Sequence, residues 1–108
     1  DNDKYSKELI LKNFSPTTFF DDINCRKSTK LPSMDLYIAC FPCQAFSIGG
    51  YKKGLRDERG KIIYRVFDVI ETKLPKMFIL ENVKGFTTLD NGKYVKQAIF
   101  VSEGKSRE

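Results

Sequence analysis

Apolar residues recur along the chain with two different periods, separated by polar, proline- or glycine-bearing segments. Tyr5, Leu9 and Ile10 share one helical face, so Lys4 to Asn13 is expected as a short helix that Ser15-Pro16-Thr17-Thr18 ends. Phe19-Phe20 leads through Asp21-Asp22-Ile23 into a polar link. Leu36 to Ala39, bounded upstream by Pro32 and Ser33, is a short apolar run of strand type. Ile62, Ile63, Val66, Phe67, Val69 and Ile70 fall at helical spacing and place a helix over Lys61 to Lys73, closed by Leu74-Pro75. Those six side chains read as core and nothing more. Met77-Phe78-Ile79-Leu80 is a second strand of buried type, with Glu81-Asn82-Val83 at its carboxyl end. Beyond it, Asn91-Gly92 marks a turn, Tyr94 to Val101 has the pattern of a helix, and 102–108 is expected to be a frayed tail.

Strand, helix, strand in that order is a βαβ unit, which predicts an α/β fold with parallel strands and a right-handed crossover. Parallel strands open their carboxyl ends on one edge of the sheet, where such folds bind ligands. Cys43 and Glu81 would then face one cleft. Pro42 fixes its own φ and offers no N–H, so the backbone entering Cys43 is stiff and displays the thiol as a nucleophile requires. Cys40, at the strand end, is expected to be a buried small hydrophobe, and Cys25 an incidental thiol. Residues 44–60 carry Gly49, Gly50, Gly54 and Gly60 with Lys52, Lys53, Arg56 and Arg59. A glycine-rich basic loop of this length predicts a mobile lid over the cleft.

At 108 residues the chain is one small domain or a piece of a larger one, and its polar start without Met suggests an internal segment. A hydrophobic share of 41% supports a core, while no run of about 18 apolar residues is available to cross a membrane as a helix. The net charge of +5 admits a polyanionic partner, although the lysines are spread along the whole chain. Three cysteines without histidine argue against a disulfide framework and suit a reducing compartment. The same inventory cannot complete the usual four ligands of structural zinc, so no metal is expected.

A thiol and a carboxyl on one cleft edge are a nucleophile and a proton donor. A thiolate can add to an electron-poor ring carbon while the acid protonates the ring nitrogen that takes up the charge. A pyrimidine meets this requirement: attack at carbon 6 with protonation at nitrogen 3 makes carbon 5 nucleophilic, ready for a methyl group from a sulfonium donor. The rival reading is a thiol–disulfide oxidoreductase, because Cys40-Phe41-Pro42-Cys43 is a C-x-x-C sequence after a strand. Redox folds start a helix at the first cysteine, whereas Ala45 to Gly60 reads as loop.

Phe41-Pro42-Cys43-Gln44-Ala45-Phe46-Ser47 resembles the catalytic-loop motif of the DNA (cytosine-5) methyltransferases, in the form found in bacterial and phage members. Gly54-Leu55-Arg56-Asp57-Glu58-Arg59-Gly60 is similar to the end of that family's mobile active-site loop, and Glu81-Asn82-Val83 to its catalytic-glutamate motif. Asp22-Ile23 resembles the motif whose aspartate binds the adenine amino group of S-adenosylmethionine. Asp1-Asn2-Asp3-Lys4-Tyr5 resembles the segment after the second strand, which puts Asp1 where an acidic residue holds the cofactor ribose. The likeness runs from Asp1 to about Gly92.

The resemblance implies a partial Rossmann-like, S-adenosylmethionine-dependent methyltransferase fold, with 1–108 a fragment of the catalytic domain. It implies methyl transfer from S-adenosylmethionine to carbon 5 of cytosine in double-stranded DNA through a covalent cysteine adduct. Cys43 would be the nucleophile and Glu81 the acid. Phe41, Pro42, Gln44, Ser47, Asn82 and Arg59 would contact substrate, the Phe41 carbonyl holding the exocyclic amine of the base. Asp22, Ile23 and Asp1 would hold the cofactor. The partners implied are DNA and the upstream and downstream parts of the same enzyme, in the cytoplasm for a bacterial or phage type and in the nucleus for a eukaryotic one.

The departures are specific. The family's glycine-rich first motif would lie upstream of Asp1, and its arginine-rich strand motif and target-recognition domain are missing. Cys40 stands where glycine is usual, and Gly49 where a small polar residue often probes the DNA. Residues 1–108 alone are therefore expected to be inactive. A non-catalytic remnant, one half of a split enzyme, or a transfer-RNA methyltransferase on the same scaffold are the alternatives. The usual Pro-Pro-Cys of the last differs from Phe41-Pro42-Cys43.

Overall fold

The computed structural model describes residues 1–44 and 58–104. Ser47, Lys52, Lys53 and Arg56 of the expected lid, and the last four residues of the expected tail, lie outside the described residues. Helix α1 is Lys4–Asn13. Its first turn is capped by Asp3, whose carboxylate accepts the Ser6 N–H at 2.6 Å, and this bond holds the Asp3 carboxyl below its usual pKa. Lys7 ties the helix to the next segment, through an ion pair with Asp21 at 2.6 Å and a position over the Phe19 ring. No residue of α1 is buried.

Strands β1 (Leu36–Cys40) and β2 (Met77–Glu81) pair in parallel, with Leu36 opposite Met77 and Cys40 opposite Glu81. Between them runs α2 (Ile62–Lys73), entered by a 3-10 turn over Glu58–Lys61. Arg59 and Gly60 therefore belong to a helical turn rather than to the open loop. Helix α2 ends because Leu74 adopts a left-handed conformation (φ 47°), donating its N–H to the Ile70 carbonyl, and Pro75 follows. The expected βαβ order is present with strand ends within one residue of the pattern.

The core is the face of α2 formed by Ile63, Val66, Phe67 and Ile70, packed on Ala39 and Phe41 from β1 and its exit. Two further helices close it: α3 (Gly85–Thr88), which the sequence pattern does not announce, and α4 (Lys93–Ser102). Phe86 of α3 stacks on Tyr94 of α4 and meets Phe41 edge-on at 5.3 Å. The chain turns between α3 and α4 through Asp90, Asn91 and Gly92, all left-handed. A side chain at Gly92 would press on the Thr87 carbonyl oxygen at 3.2 Å. A 3-10 turn at Ser28–Lys30 is also unannounced. The Ser28 hydroxyl donates to the Asp68 carboxylate and Lys73 donates to the Thr29 carbonyl, pinning the polar link to α2.

Side chains alternate along both strands. Tyr37, Ala39, Phe78 and Leu80 face the helices, whereas Leu36, Ile38, Met77 and Ile79 are 48, 58, 61 and 48% exposed. The expectation of buried-type strands is thus corrected: on the inward face only Ala39 is buried, Tyr37, Phe78 and Leu80 being half-buried, and no residue of β2 is fully covered. Phe67, with no exposed surface, should cost about 3–5 kcal/mol on Phe67→Ala. Ile79→Lys on the open face should change stability by about 0.5 kcal/mol or less while raising solubility. Urea titration and light scattering read the two effects.

Candidate active site

The parallel register brings the exits of β1 and β2 out side by side. Cys40 is paired with Glu81, so Phe41 and Asn82 leave the sheet next to each other. The Asn82 side chain crosses between them, its Nδ2 donating to the Phe41 carbonyl at 3.0 Å. Its Oδ1 accepts the Val83 N–H at 2.9 Å. The Phe41 ring is buried, Pro42 and Cys43 are half-buried, and Gln44 is exposed in a turn. Cys43 and Glu81 therefore share one edge, Cys43 lying three residues past the register partner of Glu81. The Glu81 side chain is exposed and, among the described residues, makes no ion pair with Lys84 or any other cation.

Cys40 is exposed, not the buried small hydrophobe expected. Ala39 takes the inward position beneath the helices, and strict alternation puts the next residue on the open face. All three cysteines are free thiols, and residues 41–43 are irregular rather than helical. The helix that a redox C-x-x-C fold would start at Cys40 does not form there.

Beside β1 lies a cleft of about 450 Å³. One wall carries Asp1, Asp22 and Ile23, bringing together the three residues singled out for a cofactor. The other wall is β1 and its exit, Tyr37 to Pro42, with Ile62 and Val66 of α2. Two α2 residues read as core alone thus also reach this cleft. Asp22 closes an Asx turn, its Oδ1 accepting the Asn24 N–H at 2.8 Å, and faces the cleft as well. Arg26 and Tyr37, which the sequence reading does not single out, also line it. Burial pushes the Tyr37 phenol above its usual pKa, and the charge and hydrogen bond of Arg26 pull it partly back. Phe41 and Pro42 line the cleft, whereas Cys43 and Glu81 do not, so the cleft and the Cys43 edge meet at Phe41-Pro42. Arg59 is exposed at the start of the turn before α2, and Ser47 lies outside the described residues.

A family model for C-5 cytosine-specific DNA methylase matches residues 1–102, and the chain belongs to that family. The parallel sheet, its crossover helix and the edge cleft are accordingly part of an S-adenosylmethionine-dependent methyltransferase fold. The chain is 42% identical over 91 residues to the Type II methyltransferase M.NgoBI of Neisseria gonorrhoeae, covering 84% of this chain and 28% of that protein. It is 42% identical over 94 residues to the Type II methyltransferase M.HaeII of Haemophilus aegyptius, covering 87% and 29%. It is 37% identical over 92 residues to the orphan methyltransferase M.Rho11sI of Bacillus phage rho11s, covering 83% and 18%. The chain spans less than a third of the length of these curated relatives. No helix among the described residues is long and apolar enough to cross a membrane.

Proposed function

We propose that this chain carries the nucleophile and the acid of a DNA cytosine-5 methyltransferase acting in the cytoplasm of a bacterial or phage-infected cell. The observation that carries the reading is the edge itself: in a member of this family, the Cys43 loop leaves β1 beside Glu81 and is hydrogen-bonded to the residue after it. The Cys43 thiolate adds to carbon 6 of the base, and the Glu81 carboxyl delivers a proton at nitrogen 3, leaving carbon 5 electron-rich. Once carbon 5 carries the methyl group, loss of its proton to a base or to water expels the thiolate, and nitrogen 3 returns its proton to the Glu81 carboxylate, restoring the aromatic ring. Carbon 6 cannot be reached inside the base stack, so the cytosine is flipped out of the duplex. A carbonyl oxygen can accept more than one hydrogen bond; the Phe41 carbonyl accepts from Asn82, and in this reading the exocyclic amine of the base also donates to it. Pro42 and Gln44 flank the base, and Ser47, together with Arg59 in the helical turn before α2, would contact the DNA.

The cleft beside β1 suits an adenosine. Ile23, Tyr37, Ile62 and Val66 offer apolar surface for a flat ring, while Asp22 and Asp1 offer carboxylate acceptors for an amine and for hydroxyls. S-adenosylmethionine supplies an electrophilic methyl group when bound. Replacing Asp22 by Ala removes a charged acceptor, and such hydrogen bonds are worth about 1.5–3 kcal/mol, roughly 10- to 100-fold in affinity. Calorimetric titration of the enzyme with S-adenosylmethionine should show that loss. An unchanged affinity would assign Asp22 to the turn alone.

Because the chain spans less than a third of its relatives, turnover is assigned to the enzyme of which it forms part, and residues 1–108 alone should transfer no measurable methyl. The test is labelled S-adenosylmethionine with duplex DNA, followed by nucleoside analysis. Label on carbon 5 of cytosine is the expected result; label on another base or on RNA only would overturn the reading.

A further inference from the structure

We infer that Asn82 is a positioning residue for the Cys43 nucleophile, acting through the Phe41 backbone rather than by contact with the base. The inference rests on the reading of Cys43 as nucleophile. Its observations are the two hydrogen bonds of one amide: Nδ2 to the Phe41 carbonyl at 3.0 Å and the Val83 N–H to Oδ1 at 2.9 Å. The second bond fixes the rotation of the amide and tells its oxygen from its nitrogen. The first then fixes the plane of the Phe41–Pro42 peptide, because carbonyl oxygen and proline nitrogen are held in one plane. Pro42 has its φ locked by the ring. Few soft torsions remain between the Asn82 amide and the Cys43 thiol. On its other side, Asn82 follows Glu81 directly, so one side chain references the nucleophile to the acid across the parallel register. The Phe41 ring, buried edge-on against Phe86, restrains the same residue without orienting its carbonyl.

The test uses the full-length enzyme and a duplex containing 5-fluorocytosine, which arrests the reaction as a covalent adduct. Asn82→Asp keeps the volume and the acceptor for Val83 but sets a carboxylate against the Phe41 carbonyl. Asn82→Leu keeps the volume and removes both bonds. A displacement of the order of 1 Å costs about 100-fold in rate, so adduct formation at saturating duplex should fall by about that factor in both variants while the duplex Kd stays within about threefold. Circular dichroism melting confirms that the variants are folded, and the Asp variant, with its Val83 bond intact, covers the case in which the Leu variant is not. Adduct formation near the native rate in the folded variants would overturn the inference. So would a raised Kd with an unchanged rate, since that is the signature of a residue touching the DNA. Cys43→Ser runs alongside: capture by that variant at the native rate would remove the nucleophile reading itself, and the inference with it.

Discussion

Cys43→Ser is expected to abolish capture of a 5-fluorocytosine duplex and to lower methyl transfer by the full-length enzyme by roughly 10⁴-fold or more, the scale seen when a covalent nucleophile is removed. The serine hydroxyl is far less acidic than a thiol and supplies no comparable nucleophile at neutral pH. The effect should be confined to this cysteine. Cys40 lies on the exposed face of β1 and lines the cleft beside it, and Cys25 is exposed in the Asp22 turn. Cys40→Ser and Cys25→Ser should therefore retain capture. Rate measurements on the three single variants separate the readings, since a loss in Cys40→Ser equal to that in Cys43→Ser would point to a pair of cooperating thiols instead.

Glu81→Gln should slow methyl transfer by about 100- to 10,000-fold, the usual range for a general acid. Gln keeps the shape and can still accept and donate hydrogen bonds, but it has no proton to deliver at nitrogen 3. The Glu81 side chain makes no ion pair or hydrogen bond among the described residues, so its replacement by Gln breaks none. Stability should stay unchanged, and duplex affinity should shift far less than the rate. An unchanged rate of transfer in Glu81→Gln would reject the acid role.

The parts of the fold that were readable in the sequence are those whose signal is local. Ile63, Val66, Phe67 and Ile70 declare the helical period of α2, Leu74-Pro75 declares its end, and the two apolar runs declare β1 and β2. Parallel pairing followed from their order. What stayed hidden depends on contacts distant in sequence. Nothing near Ser28 signals that its hydroxyl meets Asp68 on α2. The short α3 forms around Phe86, which is buried only because Phe41 and Tyr94 arrive from elsewhere. The exposure of Cys40 depends on which face of the sheet the helices cover, and an unbroken apolar run such as Leu36 to Ala39 does not reveal that.

The candidate site divides in the same way. Cys43 and Glu81 could be placed on one edge from strand order alone, and Asp22 and Ile23 from a short motif. The cleft that joins Asp1, Asp22 and Ile23 to Pro42 exists only in three dimensions, and Arg26 and Tyr37 enter it through the turn and the strand that border it. The family resemblance marks Asn82 as a contact to substrate, but its bond to the Phe41 carbonyl depends on the register of β1 against β2.

The most direct test of the central claim is to locate the covalent bond. The full-length enzyme is trapped on a 5-fluorocytosine duplex in the presence of S-adenosylmethionine, digested with trypsin and nuclease, and sequenced by tandem mass spectrometry. Cys40 and Cys43 fall in the same tryptic peptide, which runs from Leu31 to Lys52, so fragment ions that break between them are required. A methylated fluorocytosine nucleotide attached to the sulfur of Cys43 is the expected result. Attachment at Cys40 or Cys25, or a digest with no adduct from an enzyme that still methylates DNA, would contradict it.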